Sequence, residues 1–252
     1  MKKQKPAIAV SDERGYRTLH VGGEAIQSTM RLSDPWALAL DYTRCMMAFL
    51  LFHPEPREAL MIGLGGGSLA KFFHRNFKRT NVRVVELDER VVAAARTHFL
   101  LPPDGERLRV EIGDGAEALS PECCDVLVVD AYHDEEHVPT LASTEFYDAA
   151  YLALADQGAM VVNFMDDDRL FSQYLLRMEA AFGGQVLAMK ALYDPNIVVI
   201  ALKGLPARIG WDVLRERAAR LEARLDLPFT RYVPRLRSMN QSTQHELLIG
   251  PA

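Results

Sequence analysis

The feature that most constrains the fold is a glycine-rich segment between an apolar run and a helix-like stretch. Residues 59–62 are apolar, glycines stand at positions 63, 65, 66 and 67, and a helical pattern begins at Ser68. A second apolar run then ends in Glu86. This order of strand, glycine turn, helix and acid-ended strand is how a doubly wound sheet binds a nucleotide-like ligand. Gly63, Gly65 and Gly67 are therefore candidate cofactor-binding residues, with Glu86 as a candidate partner of ribose hydroxyls.

Composition and charge exclude several classes of protein. The 252 residues carry a formal net charge of −5, which argues against a nucleic-acid partner that needs a basic surface. No apolar run reaches the ~18 residues of a membrane span, and the basic start turns polar too soon for a signal peptide. The three cysteines lack zinc-type spacing, and we predict no metal site. We therefore expect a cytoplasmic protein without membrane contact.

The chain divides into three expected segments. Residues 1–33 contain short strand patterns around the Gly22-Gly23 turn and predict a small β-hairpin unit. Asp34 and Pro35 are typical of a helix start, and the helix is expected to run through Leu50. Residues 34–210 form the expected main domain. Residues 211–252 are expected to hold one amphipathic helix, 211–225, and a polar tail that is partly disordered.

Strand and helix patterns alternate from residue 59 to residue 202. Residues 126–129 are all apolar, which is typical of a central strand buried on both faces. The last two strand patterns, 185–191 and 197–202, are close enough to form a hairpin. The predicted class is α/β: a Rossmann-like, AdoMet-dependent methyltransferase fold with a small N-terminal β unit. Its seven-stranded sheet would be mostly parallel with an antiparallel last strand.

Two cofactor classes compete for the glycine turn. A dinucleotide site prefers GxGxxG, but Leu69 and Ala70 stand where the third glycine would lie. A nicotinamide-dependent oxidoreductase is therefore disfavoured. A second turn, Gly113-Asp114-Gly115, follows the third strand and places a carboxylate where it suits the exocyclic amine of a single adenine. With the expected closing hairpin, the pattern favours an AdoMet-type ligand.

Further stretches follow the glycine turn in an order that resembles a known family. They are Gln27-Ser28 ahead of the helix with Tyr42, Glu86-Leu87-Asp88-Glu89, Gly113 to Leu119, Asp125 to Asp130, and Glu145-Phe146-Tyr147. Over roughly residues 16–202 the chain resembles the spermidine synthase (polyamine aminopropyltransferase) family. The resemblance implies a small β unit on a Rossmann-like domain. It also implies decarboxylated AdoMet as the cosubstrate, with a longer polyamine and methylthioadenosine as products.

The resemblance also implies roles for individual residues. Those assigned to the cosubstrate are Gln27, Gly63, Gly65, Gly67, Glu86, Leu87, Asp114, Gly115 and Ala116. Glu86 would bind the ribose, and Asp114 would lie at the adenine amine. Asp130 would be the catalytic carboxylate that binds the acceptor ammonium and helps to remove its proton as nitrogen attacks the carbon beside the sulfonium. Tyr42, Tyr132 and Asp134 are assigned to the acceptor, although the position of Tyr42 is also typical of a core residue.

Two positions depart from the family pattern. Gly66 stands where the family has an acid in the glycine loop, and His133 replaces the second acid of the catalytic loop. His133 can instead serve as a base or a substrate contact, and Asp134 can replace the missing charge. The surrounding acidic loop, 133–137, is either a gate that attracts a cationic amine or a solvated surface loop.

Three functions remain open from the sequence. The first is aminopropyl transfer from decarboxylated AdoMet to a small amine. The second is methyl transfer from AdoMet, which the two lost acids permit. The third is nucleoside binding without catalysis. The resemblance further implies a homodimer that assembles through the N-terminal units.

Overall fold

The computed structural model describes residues 7–23, 26–133, 136–137 and 139–250. The strands are β1 (Ile8–Glu13), β2 (Tyr16–Val21), β3 (Ile26–Arg31), β4 (Glu58–Ile62), β5 (Asn81–Glu86), β6 (Leu108–Ile112), β7 (Cys124–Val129), β8 (Tyr132–His133), β9 (Glu136–His137), β10 (Leu154–Met165), β11 (Val186–Lys190), β12 (Asn196–Leu202), β13 (Arg208–Gly210) and β14 (Glu246–Leu248). The α-helices are α1 (Asp41–Met46), α2 (Ser68–Asn76), α3 (Glu89–His98), α4 (Thr144–Ala153), α5 (Phe171–Ala181), α6 (Trp211–Leu225) and α7 (Phe229–Met239). Three 3₁₀ helices span Met47–Leu51, Gly115–Ala118 and Pro139–Ala142.

A seven-stranded sheet in the order β11-β12-β10-β7-β4-β5-β6 forms the centre of the molecule. Strand β12 is antiparallel to both of its neighbours, and the other pairs are parallel. The predicted α/β class and the antiparallel last strand are therefore confirmed. The chain reverses its direction of travel across the sheet between β4 and β7. In open α/β sheets, ligands bind in the crevice beyond the carboxyl ends of the strands at such a point.

Strand β7 shows why the sheet is buried on both faces. Val126 and Val128 pack into one hydrophobic cluster, and Leu127 and Val129 pack into the other. Because successive side chains of a strand point to opposite faces, an unbroken apolar run needs a layer of helices on each side. Full burial of one such side chain contributes about 1.5–3 kcal/mol.

The N-terminal unit is a separate three-stranded antiparallel sheet, β1-β2-β3. Leu19 of β2 and Met30 of β3 are buried in the larger cluster of the main sheet. Strand β3 thus lies against the main domain and brings Gln27 and Ser28 to the glycine loop. The division of the chain at residues 33 and 210 stays a prediction.

The predicted helix start at Asp34 is wrong. Asp34 instead accepts a hydrogen bond from the backbone N of Trp36, 3.3 Å away, and its own backbone pairs with Arg31 in an isolated bridge. These contacts close a turn, and α1 begins only at Asp41. The capping chemistry of an aspartate serves a short turn as well as a helix, so the sequence signal was ambiguous.

The expectation of a partly disordered tail is also wrong, because a second helix, α7, follows α6. The buried residues of α7 are Phe229, Tyr232, Val233 and Leu236, at the spacing of one helix face. Strand β14 then pairs with β13, and the buried Leu247 joins the same cluster. Within the described residues, no helix is both long and apolar enough to cross a membrane.

Candidate active site

A cavity of about 990 Å³ opens at the carboxyl ends of the central strands. The residues assigned from the sequence that line it are Gln27, Tyr42, Gly63, Gly65, Glu86, Leu87, Asp114, Gly115 and Asp130. A volume of this size falls in the usual range for small-molecule and cofactor sites. Nine assigned positions, spread over slightly more than a hundred residues of sequence, are thus brought to one cavity.

Five assigned residues are placed differently. Gly67 and Ala116 are not among the described lining residues. Tyr132 and His133 form β8, which pairs with β9. Asp134 lies outside the described residues. The roles of all five stay predictions.

Gly63 is fixed by the close approach of two strands. Its φ is +93°, and a Cβ atom there would lie 2.2 Å from the backbone O of Asp130. Its backbone N donates to the backbone O of Val85 at 2.9 Å, and the backbone N of Asp130 donates to the O of Ile62 at 3.0 Å. The glycine therefore lets the loop after β4 touch the loop after β7, so that the Glu86 side and the Asp130 side of the cavity are directly joined.

Gly67 has a structural task at the end of the same loop. It is the N-cap of α2 with φ +73°, and a Cβ atom would lie 2.8 Å from Cδ1 of Leu101. Glycine adopts this left-handed conformation at little cost. The residue thus turns the chain from the loop into the helix.

Glu86 connects the glycine loop after β4 with the start of the loop after β5. Its Oε2 accepts a hydrogen bond from the backbone N of Leu64, and its Oε1 accepts one from the backbone N of Asp88, both at 2.9 Å. Burial raises the pKa of Glu86, while the backbone donors of Asp88 and Leu64 act in the opposite direction. Each oxygen retains a second acceptor direction. The side chain is therefore held rigidly at the cavity wall and can still accept hydrogen bonds from two hydroxyl groups.

Asp114 and Gly115 bring the loop after β6, the neighbour of β5 in the sheet, to the same cavity. The Asp114 carboxylate accepts a hydrogen bond from the backbone N of Ala116 at 2.9 Å and caps the short 3₁₀ helix. A Cβ atom on Gly115 would lie 2.2 Å from Cγ2 of Ile62. Leu87, which follows Glu86 in the chain, also lines the cavity and is 70% exposed. An apolar side chain beside hydrogen-bonding groups suits the flat face and polar edge of a purine base.

Asp130 is the centre of a polar network at the end of β7. Its Oδ2 accepts a hydrogen bond from the Tyr42 hydroxyl at 3.2 Å, and its Oδ1 accepts one from Nδ2 of Asn163 at 3.1 Å. Nδ2 of Asn196 in turn donates to Oδ1 of Asn163 at 3.0 Å. Burial raises the pKa of Asp130, and the donors Asn163 and Tyr42 partly offset that effect. The network fixes the orientation of a carboxylate that can bind a cation or accept a proton.

Sequence analysis missed the two asparagines of this network. Asn163 lies within the buried strand β10, and Asn196 begins the buried strand β12. An unpaired buried amide costs about 1–3 kcal/mol, so amides inside apolar strands need partners. A single polar residue within each apolar run was the signal that could have located them.

The surroundings of Gly66 explain one departure from the family pattern. A Cβ atom on Gly66 would lie 2.8 Å from Cδ1 of Phe99 and 2.8 Å from Oγ of Ser28. Phe99 is fully buried, and Ser28 lies 3.4 Å from Oγ of Ser68. The space for an acidic side chain is therefore taken by the aromatic ring and the serine hydroxyl.

The charge of the cavity is one-sided. The lining carboxylates are Glu86, Asp88, Asp114, Asp130, Asp167 and Asp194. Of the lining residues that the structure describes, none is lysine, arginine or histidine. Asp88 forms an ion pair with Arg90, which is not among those lining residues, so its charge is compensated from outside the cavity. Because a low-dielectric cavity strengthens such fields, the site favours a cationic ligand over an anionic one.

Comparison with known proteins agrees with this geometry. The spermine/spermidine synthase domain profile matches residues 40–198, which is more than half of the chain. The chain belongs to the spermine/spermidine synthase family. The resemblance stated from the sequence is thereby confirmed.

Curated relatives of the family match nearly the whole chain. A polyamine aminopropyltransferase of Chromobacterium violaceum is 35% identical over 97% of this chain and 94% of its own length. One from Neisseria meningitidis serogroup B is 33% identical over 93% of this chain and 90% of its own. An eEF1A lysine and N-terminal methyltransferase of Xenopus laevis is 25% identical over 80% of this chain but only 32% of its own length.

Solved structures support the fold. A probable spermidine synthase from Corynebacterium glutamicum has a TM-score of 0.69 and 20% identity, covering 84% of this chain and 83% of its own. Human methyltransferase-like protein 13 in complex with SAH has a TM-score of 0.67 and 22% identity, covering 75% of this chain and 93% of its own. A spermidine synthase in complex with the transition-state analogue AdoDATO has a TM-score of 0.61 and 22% identity, covering 80% of this chain and 75% of its own.

Proposed function

We propose that this chain transfers an aminopropyl group from decarboxylated AdoMet to an amine acceptor. The observation that carries the proposal is the charge of the cavity: six carboxylates line it, and no basic side chain is found among the described lining residues. Both reactants of an aminopropyl transfer are cations, since one carries a sulfonium and an ammonium group and the other is a protonated amine. The family membership supports the same reaction.

The residues present fit the nucleoside part of such a cosubstrate. Glu86 offers two oriented carboxylate oxygens for ribose hydroxyls, and Asp114 offers a carboxylate for the adenine amine. Gly63 and Gly115 line the same cavity, and each allows a close backbone contact that a Cβ atom would prevent, with Asp130 and with Ile62 respectively. When bound, the sulfonium supplies an activated carbon and a good leaving group, so that the protein must mainly orient the acceptor and remove one proton.

Asp130 is suited to the proton transfer. The Tyr42 hydroxyl and the Asn163 amide hold both oxygens of its carboxylate, which fixes the direction in which an ammonium can bind. Asp130 would first take a proton from the bound ammonium, which frees the lone pair of the acceptor nitrogen. The neutral nitrogen then forms its bond to carbon as the carbon–sulfur bond breaks, which leaves a secondary ammonium and methylthioadenosine. A carboxylate whose pKa is raised by burial is a stronger base than one in water, which favours this role.

A turnover assay tests the proposal. Purified protein is incubated with each sulfonium donor and a mixture of diamines and polyamines, and the products are identified by mass spectrometry. We expect a product heavier by one aminopropyl group, together with methylthioadenosine, from decarboxylated AdoMet alone. Asp130→Asn should lower the rate by about 10²–10⁴-fold, the usual contribution of a general base. Methylated products, or no turnover with any amine tested, would contradict the proposal.

Methyl transfer from AdoMet is the second candidate, and one observation favours it. Ser68 lines the cavity at the N-terminus of α2, where backbone N–H groups and the helix dipole can bind a carboxylate. Such a position can receive the carboxylate of AdoMet without a basic side chain. The mass of the product separates the two candidates. Binding without any turnover would instead favour a nucleoside-binding protein.

We also propose that the protein acts as a homodimer in the cytoplasm. The family resemblance supports the dimer, and the composition supports the compartment. Light scattering of the purified protein measures the oligomeric state, and a monomer at micromolar concentration would contradict the dimer. Cell fractionation measures the compartment, and recovery outside the cytoplasmic fraction would contradict the proposed location.

A further inference from the structure

The loop between β11 and β12 carries an acid that sequence analysis did not assign. Asp194, in residues 191–195, lines the same cavity as Asp130. The adjacent strand β10 contributes Asn163 to the network, and β12 begins directly after the loop with Asn196. The loop is therefore part of the wall on the Asp130 side and lies apart from the Glu86–Leu64 contact.

Two reciprocal hydrogen bonds hold this loop against α1. Oδ2 of Asp194 accepts from the backbone N of Tyr42 at 3.0 Å, and Oδ2 of Asp41 accepts from the backbone N of Tyr193 at 2.7 Å. On its outer side, the Tyr193 ring packs against Arg231 of α7, with 5.3 Å between the guanidinium carbon and the ring centroid. The position of Asp194 is thus fixed from both sides.

Tyr42 connects Asp194 with the catalytic carboxylate. Its backbone N contacts Asp194, and its hydroxyl contacts Asp130 at 3.2 Å. The two acids therefore contact opposite ends of one tyrosine within one cavity. Within the part of the chain that the structure describes, Asp194 forms no ion pair with a lysine or arginine side chain. A second cation in the cavity would supply the missing countercharge.

We propose that Asp194 binds the second ammonium group of a diamine or polyamine acceptor while Asp130 binds the reacting amine. The inference rests on the proposed function and makes Asp194 a specificity-determining residue. Asp194, in the loop between β11 and β12, would then supply the negative charge that is missing where His133 stands in the loop after Asp130. An acceptor with two amines would be preferred over one with a single amine.

Calorimetry on the protein saturated with methylthioadenosine tests this inference without requiring turnover. The probes are 1,4-diaminobutane and propylamine, which differ in the second amine. In the unaltered protein we expect the diamine to bind at least tenfold more tightly. Asp194→Asn should raise the Kd of the diamine at least tenfold and that of propylamine less than threefold. The asparagine oxygen can still accept the Tyr42 N–H, so the loop is expected to keep its place.

Asp166→Asn is the matched control, because it removes one negative charge nearby. Asp166 pairs with Lys190 at 2.7 Å and is not among the described lining residues, so this variant should bind the diamine as the unaltered protein does. Equal affinities for the two amines, or an unchanged diamine Kd in Asp194→Asn, would overturn the inference even if aminopropyl transfer is observed. A selective loss of diamine binding supports it even if the turnover assay reveals no aminopropyl product.

Discussion

Replacement of Gly63 by alanine tests the geometry that joins the two halves of the site. The new Cβ atom would lie 2.2 Å from the backbone O and 2.9 Å from the backbone C of Asp130, at a φ of +93°. A left-handed backbone costs an alanine about 1–2 kcal/mol, and overpacking against atoms that cannot rotate away costs about 1–3 kcal/mol more. We therefore expect a loss of about 2–5 kcal/mol in the free energy of unfolding.

Two other glycines separate these contributions. Gly15 has a φ of +82° with no atom within 4 Å of the position for Cβ, so Gly15→Ala measures the backbone cost alone. Gly105 has open space and lacks a positive φ, so Gly105→Ala should change stability little or raise it by about 0.4–1 kcal/mol. Urea unfolding gives the three stabilities, and calorimetry gives methylthioadenosine binding. If Gly63→Ala loses no more stability than Gly15→Ala and binds the nucleoside normally, the contact between the two loops is refuted.

Three further substitutions probe separate parts of the site. Tyr42→Phe removes a donor that favours the ionised form of Asp130. The pKa of Asp130 should therefore rise in this variant, and the acidic limb of the pH profile of kcat/KM should move to higher pH. An unmoved limb would contradict the role of Asp130 as the base. Glu86→Gln turns an amide NH₂ toward one of the two backbone N–H groups that the carboxylate now accepts from. Calorimetry should show methylthioadenosine binding weakened by about 1–3 kcal/mol. An unchanged affinity would show that Glu86 is not part of the nucleoside site. Gly66→Asp should lower the melting temperature without raising activity, because Phe99 occupies the space; a faster enzyme would show that the loop can accommodate the acid.

The sheet could be predicted from the sequence because its signals are local. Each strand is an apolar run of the right length, and the short connection at Tyr193 and Asp194 indicated the antiparallel last strand. The glycines were equally readable, since few residues besides glycine allow a positive φ at Gly63 beside the backbone of another loop. The acid at the end of β5 followed from the same reasoning.

The network around Asp130 could not be predicted in the same way. Asn163, Asn196 and Asp194 come from strands and a loop more than thirty residues beyond Asp130, and only the strand order brings them to one cavity. Asp134 was proposed to replace the lost acid because it is next to His133 in sequence. Asp134 lies outside the described residues, so that assignment stays a prediction. The described lining of the cavity adds Asp194, from a distant loop, as a second candidate for this charge.

The most direct test of the account is a comparison of the two sulfonium donors by calorimetry. They differ by one carboxylate. Six of the described lining residues are carboxylates and none is basic, so a preference for AdoMet would require the N-terminus of α2 at Ser68 to receive its carboxylate. Repulsion between two carboxylates about 4 Å apart amounts to roughly 1–4 kcal/mol, depending on the effective dielectric constant. Since every 1.4 kcal/mol is a factor of ten, we predict that decarboxylated AdoMet binds about fivefold to several hundredfold more tightly than AdoMet. Equal binding or a preference for AdoMet would contradict the central claim.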